Sequence, residues 1–321
     1  MKILICDPLS PESIEELRTT GKFTIDVALD LDESSLAAAV PPYHCMVVRG
    51  RTKVTRKVLE AAGELELIVR GGAGIDNIDV EAATARGVTV LNTPGANAES
   101  VGEMAIGFLL CLARQIPQAH AGLAAGRWEK KKLRGSEIYG KTLGIIGVGR
   151  TGKSVSRKAR ALGMSVLGYD PYVSEEEIIE ARAVPAPLEE LLRAADYITF
   201  HVPLTPETSH MADADFFAAA KEGVRILNLA RGGVIDEEAL LRAIESGKVA
   251  GAALDVFSEE PPGSNPLLEK ECVIATPHIG GATVEAQERV GRQVAKVIME
   301  YAAGEYAREE GPRIVPGRPE K

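Results

Sequence analysis

The sequence predicts an α/β protein of two domains with parallel sheets, one domain inserted into the other. Strand-like apolar runs alternate with helical patterns almost throughout, which is the rhythm of parallel sheets covered by helices. A length of 321 residues is enough for about two hydrophobic cores. Two long helical patterns, over 99–115 and 284–301, break the alternation where a chain would cross between domains.

The first series of strand-like runs falls at 3–6, 46–48, 67–69 and 88–91. A second follows at 143–146, 165–169, 197–202, 224–229, 252–256 and 273–275. Between them lie helical patterns such as 237–246, which starts acidic and stops before Gly247. The pattern over 99–115 carries Val101, Met104, Ala105, Phe108, Leu109 and Leu112 at helical spacing. That over 284–301 carries Val290, Val294, Val297, Ile298 and Tyr301. Taken as hinge helices, they give a discontinuous domain of residues 1–95 and 285–321 around an inserted domain of 96–284. The sequence shows no repeat period, and GPRIVPGRPEK (311–321) reads as an irregular tail.

Composition narrows the function classes. A formal charge of −9 argues against a general nucleic-acid or anionic-membrane surface. The longest uncharged apolar run, near 104–113, falls well short of the ~20 residues that span a bilayer. The opening MKILICDPLS reads as a strand and turn rather than a signal peptide. Cys6, Cys45, Cys111 and Cys272 stand singly, so reduced, buried thiols and a cytoplasmic location are expected. No metal site is expected.

The stretch GVGRTGKS (147–154) satisfies two phosphate-binding patterns. Gly147, Gly149 and Gly152 fit G-x-G-x-x-G, while Gly147, Gly152, Lys153 and Ser154 fit G-x-x-x-x-G-K-[ST]. The neighbours favour a dinucleotide. TLGIIG precedes the glycines, a helical stretch follows, and SVLGYD ends on Asp170, 18 residues beyond Gly152. The helix N-terminus offers free N–H groups to a pyrophosphate, and Asp170 suits ribose hydroxyls while repelling a 2′-phosphate. NAD is therefore expected over NADP. The rival P-loop NTPase needs a strand closed by a magnesium-binding Asp, and Asp255 does close AGAALD.

Three later stretches decide between them: NLARGGVID (228–236), ALDVFSEEPP (253–262) and TPHIGG (276–281). Each follows an apolar run, at the strand end where α/β sheets bind ligands. These stretches resemble the signatures of the D-isomer-specific 2-hydroxyacid dehydrogenases. RGGAGIDNID (70–79), NTPGAN (92–97) and GRWEKKKLRG (126–135) bring the chain nearest to the branch that oxidises D-3-phosphoglycerate. The resemblance spans almost the whole chain and implies two Rossmann-like/flavodoxin-like domains.

Physical chemistry and the resemblance converge on three side chains. Arg231 can hold a 2-oxo acid through its carboxylate and polarise the keto oxygen. His278 can exchange the hydroxyl proton, since an imidazole ordinarily titrates near ~6.5. Glu260 can bond the other ring nitrogen and stabilise the imidazolium. Glu259 is the rival carboxylate; Glu260 is preferred because it directly precedes the proline of the motif.

The resemblance implies further roles. Arg150 and Thr151 would line the pyrophosphate beside Gly147, Gly149 and Gly152. Val202, Leu229, Ala230 and Gly281 would contact the cofactor, and Asp255 would accept from the nicotinamide carboxamide, leaving Lys153 and Ser154 without phosphate duty. Gly72, Ala73 and Gly74 would present N–H groups to a substrate carboxylate, and Asn97 would contact it. A phosphoryl group calls for cations, which Arg49, Arg51 and Arg70 supply. Lys130 matches a basic position that reaches a neighbouring subunit in related dimers.

Gly50 departs from the pattern, because relatives often carry Ser there, so hydroxypyruvate or glyoxylate reduction is the leading alternative. Co-repressors that keep this fold but bind peptides are a non-enzymatic alternative. The resemblance implies a homodimer through the nucleotide domain, paired by the long helix and the loop after it. The stripe of 99–115 reads more often as internal core, and the expected anchor is Trp128, the only tryptophan, with Lys130 lending charge. With 43 residues after His278, no serine-binding regulatory domain and no serine inhibition are expected.

Overall fold

The computed structural model describes residues 1–304. The chain divides into two compact units: Met1–Asn97 with the segment that starts at Ala282, and Ala98–Gly281. The tail read over 311–321 lies outside the described residues.

The split unit holds β1 (Lys2–Ile5), β2 (Thr24–Val27), β3 (Cys45–Val48), β4 (Leu67–Arg70) and β5 (Thr89–Asn92). They form one parallel sheet in the order β2-β1-β3-β4-β5, the flavodoxin-like arrangement. Every residue of β3 is buried, because a central parallel strand is covered on both faces. The helix Val284–Ala303 lays Val290, Val294, Val297 and Ile298 against Ile3, Ile5, Val47, Leu67 and Val69. β2 does not register as an apolar run: it is an edge strand, and TIDV leaves three of its four residues exposed.

The inserted unit holds β6 (Thr142–Ile146), β7 (Ser165–Tyr169), β8 (Val184–Pro185), β9 (Tyr197–Phe200), β10 (Val224–Asn228), β11 (Val249–Leu254) and β12 (Val273–Ala275). The parallel order is β12-β11-β10-β9-β6-β7-β8. The chain runs outward from β6 through β7 and β8, then restarts on the other side of β6 at β9. The loops after β6 and β9 therefore diverge at the switch point, where such sheets bind ligands. β9 and β10 stop at Phe200 and Asn228, earlier than the apolar runs suggest. His201, Val202 and Leu229 belong to loops at the strands' carboxyl ends, where the backbone leaves the ladder while Val202 and Leu229 continue the apolar run. β8 is a two-residue edge strand carrying a proline, tolerated because an edge need not donate on its outer side.

The helix Ala98–Arg114 turns its apolar stripe inward. Its stripe of Val101, Ala105, Phe108, Leu109 and Leu112 is buried in this unit's own core with Leu143, Ile145, Leu227 and Ala253. The thiols depart from the expectation of burial: all four are free, but only Cys6 and Cys45 are buried, and Cys111 and Cys272 are partly exposed. Among the described residues, no helix is long and apolar enough to cross a membrane.

Candidate active site

The glycine loop follows β6, and two of its three glycines answer steric demands within the protein. Gly147 adopts φ +93°, and a Cβ there would lie 2.7 Å from the carbonyl of His201. A Cβ on Gly152 would lie 2.1 Å from the Gly147 carbonyl oxygen, so this glycine seats the helix Arg150–Ala161 on the loop. Gly149, the N-cap of that helix, is extended, and an added Cβ would meet nothing within 4 Å. That open position faces no protein atom and adjoins the N-terminus of the helix, where backbone N–H groups point outward. Arg150 is exposed and Thr151 half-buried beside it.

Asp170 follows β7 and braces the loop. Its Oδ2 accepts from the Val148 N–H at 2.8 Å and its Oδ1 from the Tyr172 N–H at 3.0 Å. Each oxygen keeps lone-pair capacity for a further donor. Lys153 pairs with Glu177 at 3.2 Å, and buried Ser154 accepts from Lys158 at 2.7 Å. The two residues a P-loop would aim at phosphate and magnesium are thus engaged with neighbouring side chains. The donor set fits a dinucleotide.

Three consecutive strands, β10, β11 and β12, deliver the polar cluster. After β10, buried Asn228 shapes the turn: its Nδ2 donates to the Arg231 carbonyl at 2.8 Å, and its Oδ1 accepts from the Ala230 N–H at 3.0 Å. After β12 comes His278, whose Nδ1 lies 2.8 Å from Oε2 of Glu260. The adjacent Glu259 makes no such contact. Glu260 Oε1 accepts from the Phe257 N–H at 3.2 Å. Burial pushes the Glu260 carboxyl up, but the hydrogen bond and charge of His278, the Phe257 N–H and the charge of Arg231 outweigh it and hold the carboxyl low. Glu260 is therefore ionised at neutral pH, and the imidazole's Nε2 is left to face away from it.

Asp255 organises the histidine loop. It is 1% exposed. Its Oδ1 accepts from the Thr276 hydroxyl at 2.6 Å and the Ile279 N–H at 2.8 Å, and its Oδ2 from the Gly280 N–H at 2.7 Å. These bonds bracket His278, whose φ of +53° is a left-handed conformation costing on the order of 1 kcal/mol. In this arrangement the carboxylate expected at the nicotinamide carboxamide serves its own loop. Val202 and Gly281 are half-buried, and Leu229 and Ala230 buried.

On the split unit, the other candidate residues gather at the carboxyl ends of β3, β4 and β5. Asp7, 1% exposed, accepts from the N–H groups of Arg49 at 2.5 Å and Thr52 at 3.2 Å. Asn77 donates to the carbonyls of Arg49 at 2.8 Å and Thr52 at 2.6 Å. Together they set the turn that carries Arg49, Gly50 and Arg51. Arg51 pairs with Asp30 and approaches Asp7, and burial pushes the Arg49 guanidinium down.

The Arg70 guanidinium occupies the space a Cβ on Gly72 would fill, and an added Cβ on Gly50 would come within 3.8 Å of it. The Gly72 N–H donates to the Thr93 hydroxyl at 2.7 Å, so that part of the Gly72–Ala73–Gly74 loop is already engaged. Asn97 is half-buried at the end of this unit's first segment. On the inserted unit, Lys130 stands in an exposed turn.

Sequence reasoning did not single out Asn228, Asp7, Asn77 or His201. Their signal is positional: Asp7, Asn228 and His201 sit at or just beyond a strand's carboxyl end. His201 Nε2 lies 3.0 Å from the Thr199 hydroxyl.

A parallel sheet with a glycine loop at its switch point and an acid after the next strand defines a dinucleotide-binding dehydrogenase-type unit. Residues 106–280 match the family model of the D-isomer specific 2-hydroxyacid dehydrogenase NAD binding domain. The chain is 47% identical over 309 residues to D-3-phosphoglycerate dehydrogenase of Methanocaldococcus jannaschii, covering 96% of this chain and 58% of that one. It spans about half the length of the curated relatives it matches. Among solved structures, the NAD-dependent formate dehydrogenase of Staphylococcus aureus in complex with NAD superposes with a TM-score of 0.86 at 27% identity, covering 99% and 100% of the two chains. A glyoxylate reductase from Paecilomyes thermophila gives 0.86 at 30% identity, covering 98% of each. The chain belongs to the D-isomer specific 2-hydroxyacid dehydrogenases, and its inserted unit carries the family's NAD-binding domain.

Proposed function

We propose that the chain oxidises D-3-phosphoglycerate to 3-phosphohydroxypyruvate with NAD. The observation that carries the chemistry is the Glu260–His278 pair at 2.8 Å beside the charge of Arg231. The substrate assignment is supported by relatives that bear this name and by Arg49, Arg51 and Arg70 at the sheet end of the split unit.

NAD, when bound, supplies the hydride acceptor. Gly147, Gly149, Arg150, Thr151 and Gly152 would hold its pyrophosphate, Asp170 its ribose, and Val202, Leu229, Ala230, Asp255 and Gly281 its nicotinamide end. Arg231 holds the substrate carboxylate and polarises the C2 oxygen. His278 removes the C2 hydroxyl proton at Nε2 as the C2 hydrogen departs with its electron pair, leaving the ketone. Glu260 keeps Nδ1 protonated and stabilises the imidazolium that results. In the reverse direction the same Nε2 returns the proton. Gly72, Ala73, Gly74 and Asn97 serve the substrate's polar groups, and Lys130 completes a neighbouring copy's site in a homodimer.

Gly50 favours a second reading, hydroxypyruvate or glyoxylate reduction, because a hydroxyl is missing beside Arg70. NADH formation or consumption across a panel of D-3-phosphoglycerate, D-glycerate, D-lactate, hydroxypyruvate and glyoxylate separates the readings. A clear preference in kcat/KM for D-3-phosphoglycerate is expected; preference for an unphosphorylated acid overturns the substrate, and no turnover overturns the enzyme. Four free thiols support a reducing, cytoplasmic setting, and the acidic charge supports neither nucleic-acid nor membrane partners.

A further inference from the structure

We propose that Glu237 is a positioning residue for Glu260 and, through it, for His278; this rests on the acid–base reading of that pair. Glu260 lies in a loop, 258–265, whose first turn is exposed. One carboxylate ties both of its ends. Glu237 Oε1 accepts from the Ser258 N–H at 2.6 Å, and Oε2 accepts from the Asn265 side-chain amide at 2.6 Å. Asn265 in turn caps the short helix Pro266–Glu269 by accepting from the Leu267 N–H at 3.0 Å. Glu260 stands between the two ties, and its own Oε1 bond to Phe257 adds a third constraint.

Glu237 opens the helix Glu237–Glu245, where an acid ordinarily serves the helix N-terminus. Here that duty belongs to Asp236, whose Oδ1 accepts from the Ala239 N–H at 3.0 Å. Glu237 instead reaches across to the glutamate loop.

Its place in the chain gives the contact a purpose. The segment that carries Arg231 continues through Gly232, where a Cβ would lie 1.9 Å from the Phe257 carbonyl. Backbone therefore rests on backbone at Phe257, and five residues later Glu237 pins Ser258 and Asn265. The segment that presents the substrate-binding arginine thus also fixes the glutamate that orients the histidine. Arg231, Glu260 and His278 are registered to one another by a residue that touches none of the reacting atoms.

The test compares pH profiles of kcat/KM for NAD-dependent oxidation of D-3-phosphoglycerate in wild type, Glu237→Ala, Glu237→Gln, Asn265→Ala and Glu260→Gln. Glu237→Ala is expected to lower kcat by about 10- to 100-fold, the effect of a misplaced reacting group. Its acid limb should move in the same direction as that of Glu260→Gln, with NADH affinity by fluorescence unchanged. Glu237→Gln retains an acceptor for Ser258 and should recover most of the rate. Should Glu237→Ala not fold, Asn265→Ala cuts one tie and must shift the limb in the same sense. A wild-type rate and profile in Glu237→Ala, even with a lowered Tm, overturns the inference. If Glu260→Gln moves the limb and the Glu237 and Asn265 variants do not, only this inference fails. If Glu260→Gln leaves it in place, the acid–base reading fails with it.

Discussion

His278 and Glu260 meet through Nδ1 and Oε2 at 2.8 Å, although their side chains stay 49% and 39% exposed. The pair is therefore held together yet open to a ligand. His278→Ala should lower kcat by roughly 10²–10⁴, the usual worth of a positioned acid–base, with NADH binding retained. Glu260 is ionised at neutral pH, so Glu260→Gln removes a charge that favours imidazolium. Oxidation needs the neutral ring, and the acid limb of kcat/KM should move to lower pH, whereas Glu259→Gln should leave it unmoved. Near-wild-type turnover by His278→Ala would refute the mechanism.

Two of the loop glycines, Gly149 and Gly152, should separate folding from binding. Gly149 is extended and an added Cβ meets no protein atom, so Gly149→Ala should leave Tm unchanged or raise it slightly. It fills the space through which a pyrophosphate would approach in the proposed site, so NADH affinity should fall. Gly152→Ala must push against the Gly147 carbonyl and should lower both Tm and NADH affinity. Calorimetry with NADH titration reads the two effects apart; equal affinity in Gly149→Ala and wild type would place the cofactor elsewhere.

Asp170 should set cofactor choice. A 2′-phosphate would face its carboxylate, so NAD(H) should exceed NADP(H) in kcat/KM by at least ~10-fold, about 1.4 kcal/mol. Asp170→Ala should narrow that gap. It should also weaken NAD binding, because the bond to Val148 that braces the glycine loop is lost. Equal use of both cofactors by the wild type would contradict this role.

The buried elements were legible because their signals are local. The central strands announce themselves as apolar runs, and G-x-G-x-x-G with its strand, helix and Asp170 is a continuous pattern. The edge strands Thr24–Val27 and Val184–Pro185 were not, since exposure on one side removes the apolar signature. The approach of Glu260 to His278 depends on β11 lying beside β12, with Leu254 opposite Ala275, a pairing no spacing along the chain states. The stripe of the helix Ala98–Arg114 reads the same whether it faces its own sheet or a second copy. The part Asp255 plays in its own loop was not legible either, because its three donors are a hydroxyl and two backbone N–H groups.

His201 should make stability depend on pH. Burial pushes its imidazole down to about 3, below the ordinary ~6.5 of an unfolded histidine. The unfolded chain then binds the proton more tightly. Its contribution is complete above about pH 6.5 and is lost as pH falls from there toward 3, at up to ~1.4 kcal/mol per pH unit for one proton. His201→Asn can still meet the Thr199 hydroxyl and does not titrate. Urea unfolding at pH 7, 6 and 5 should show the wild type losing its advantage over the variant as pH falls; a difference independent of pH would contradict the assignment.

Assembly gives the last prediction. With the stripe of the helix Ala98–Arg114 turned inward, a homodimer must use other apolar surface on the inserted unit. Trp128 is 81% exposed, Tyr139 76%, Leu123 59% and Ile116 49%, all within one stretch of chain. A tryptophan among Arg127, Lys130 and Lys131 suits an interface anchor with a charged rim. In a two-fold dimer each substitution acts twice. Trp128→Glu should therefore weaken dimerisation by at least ~30-fold per copy, the size of a 2 kcal/mol anchor, while NADH binding in the inserted unit persists. Light scattering at micromolar concentration should find a wild-type dimer and a variant monomer. A wild-type monomer would refute the assembly, and an undiminished dimer of Trp128→Glu would move its anchor away from this turn.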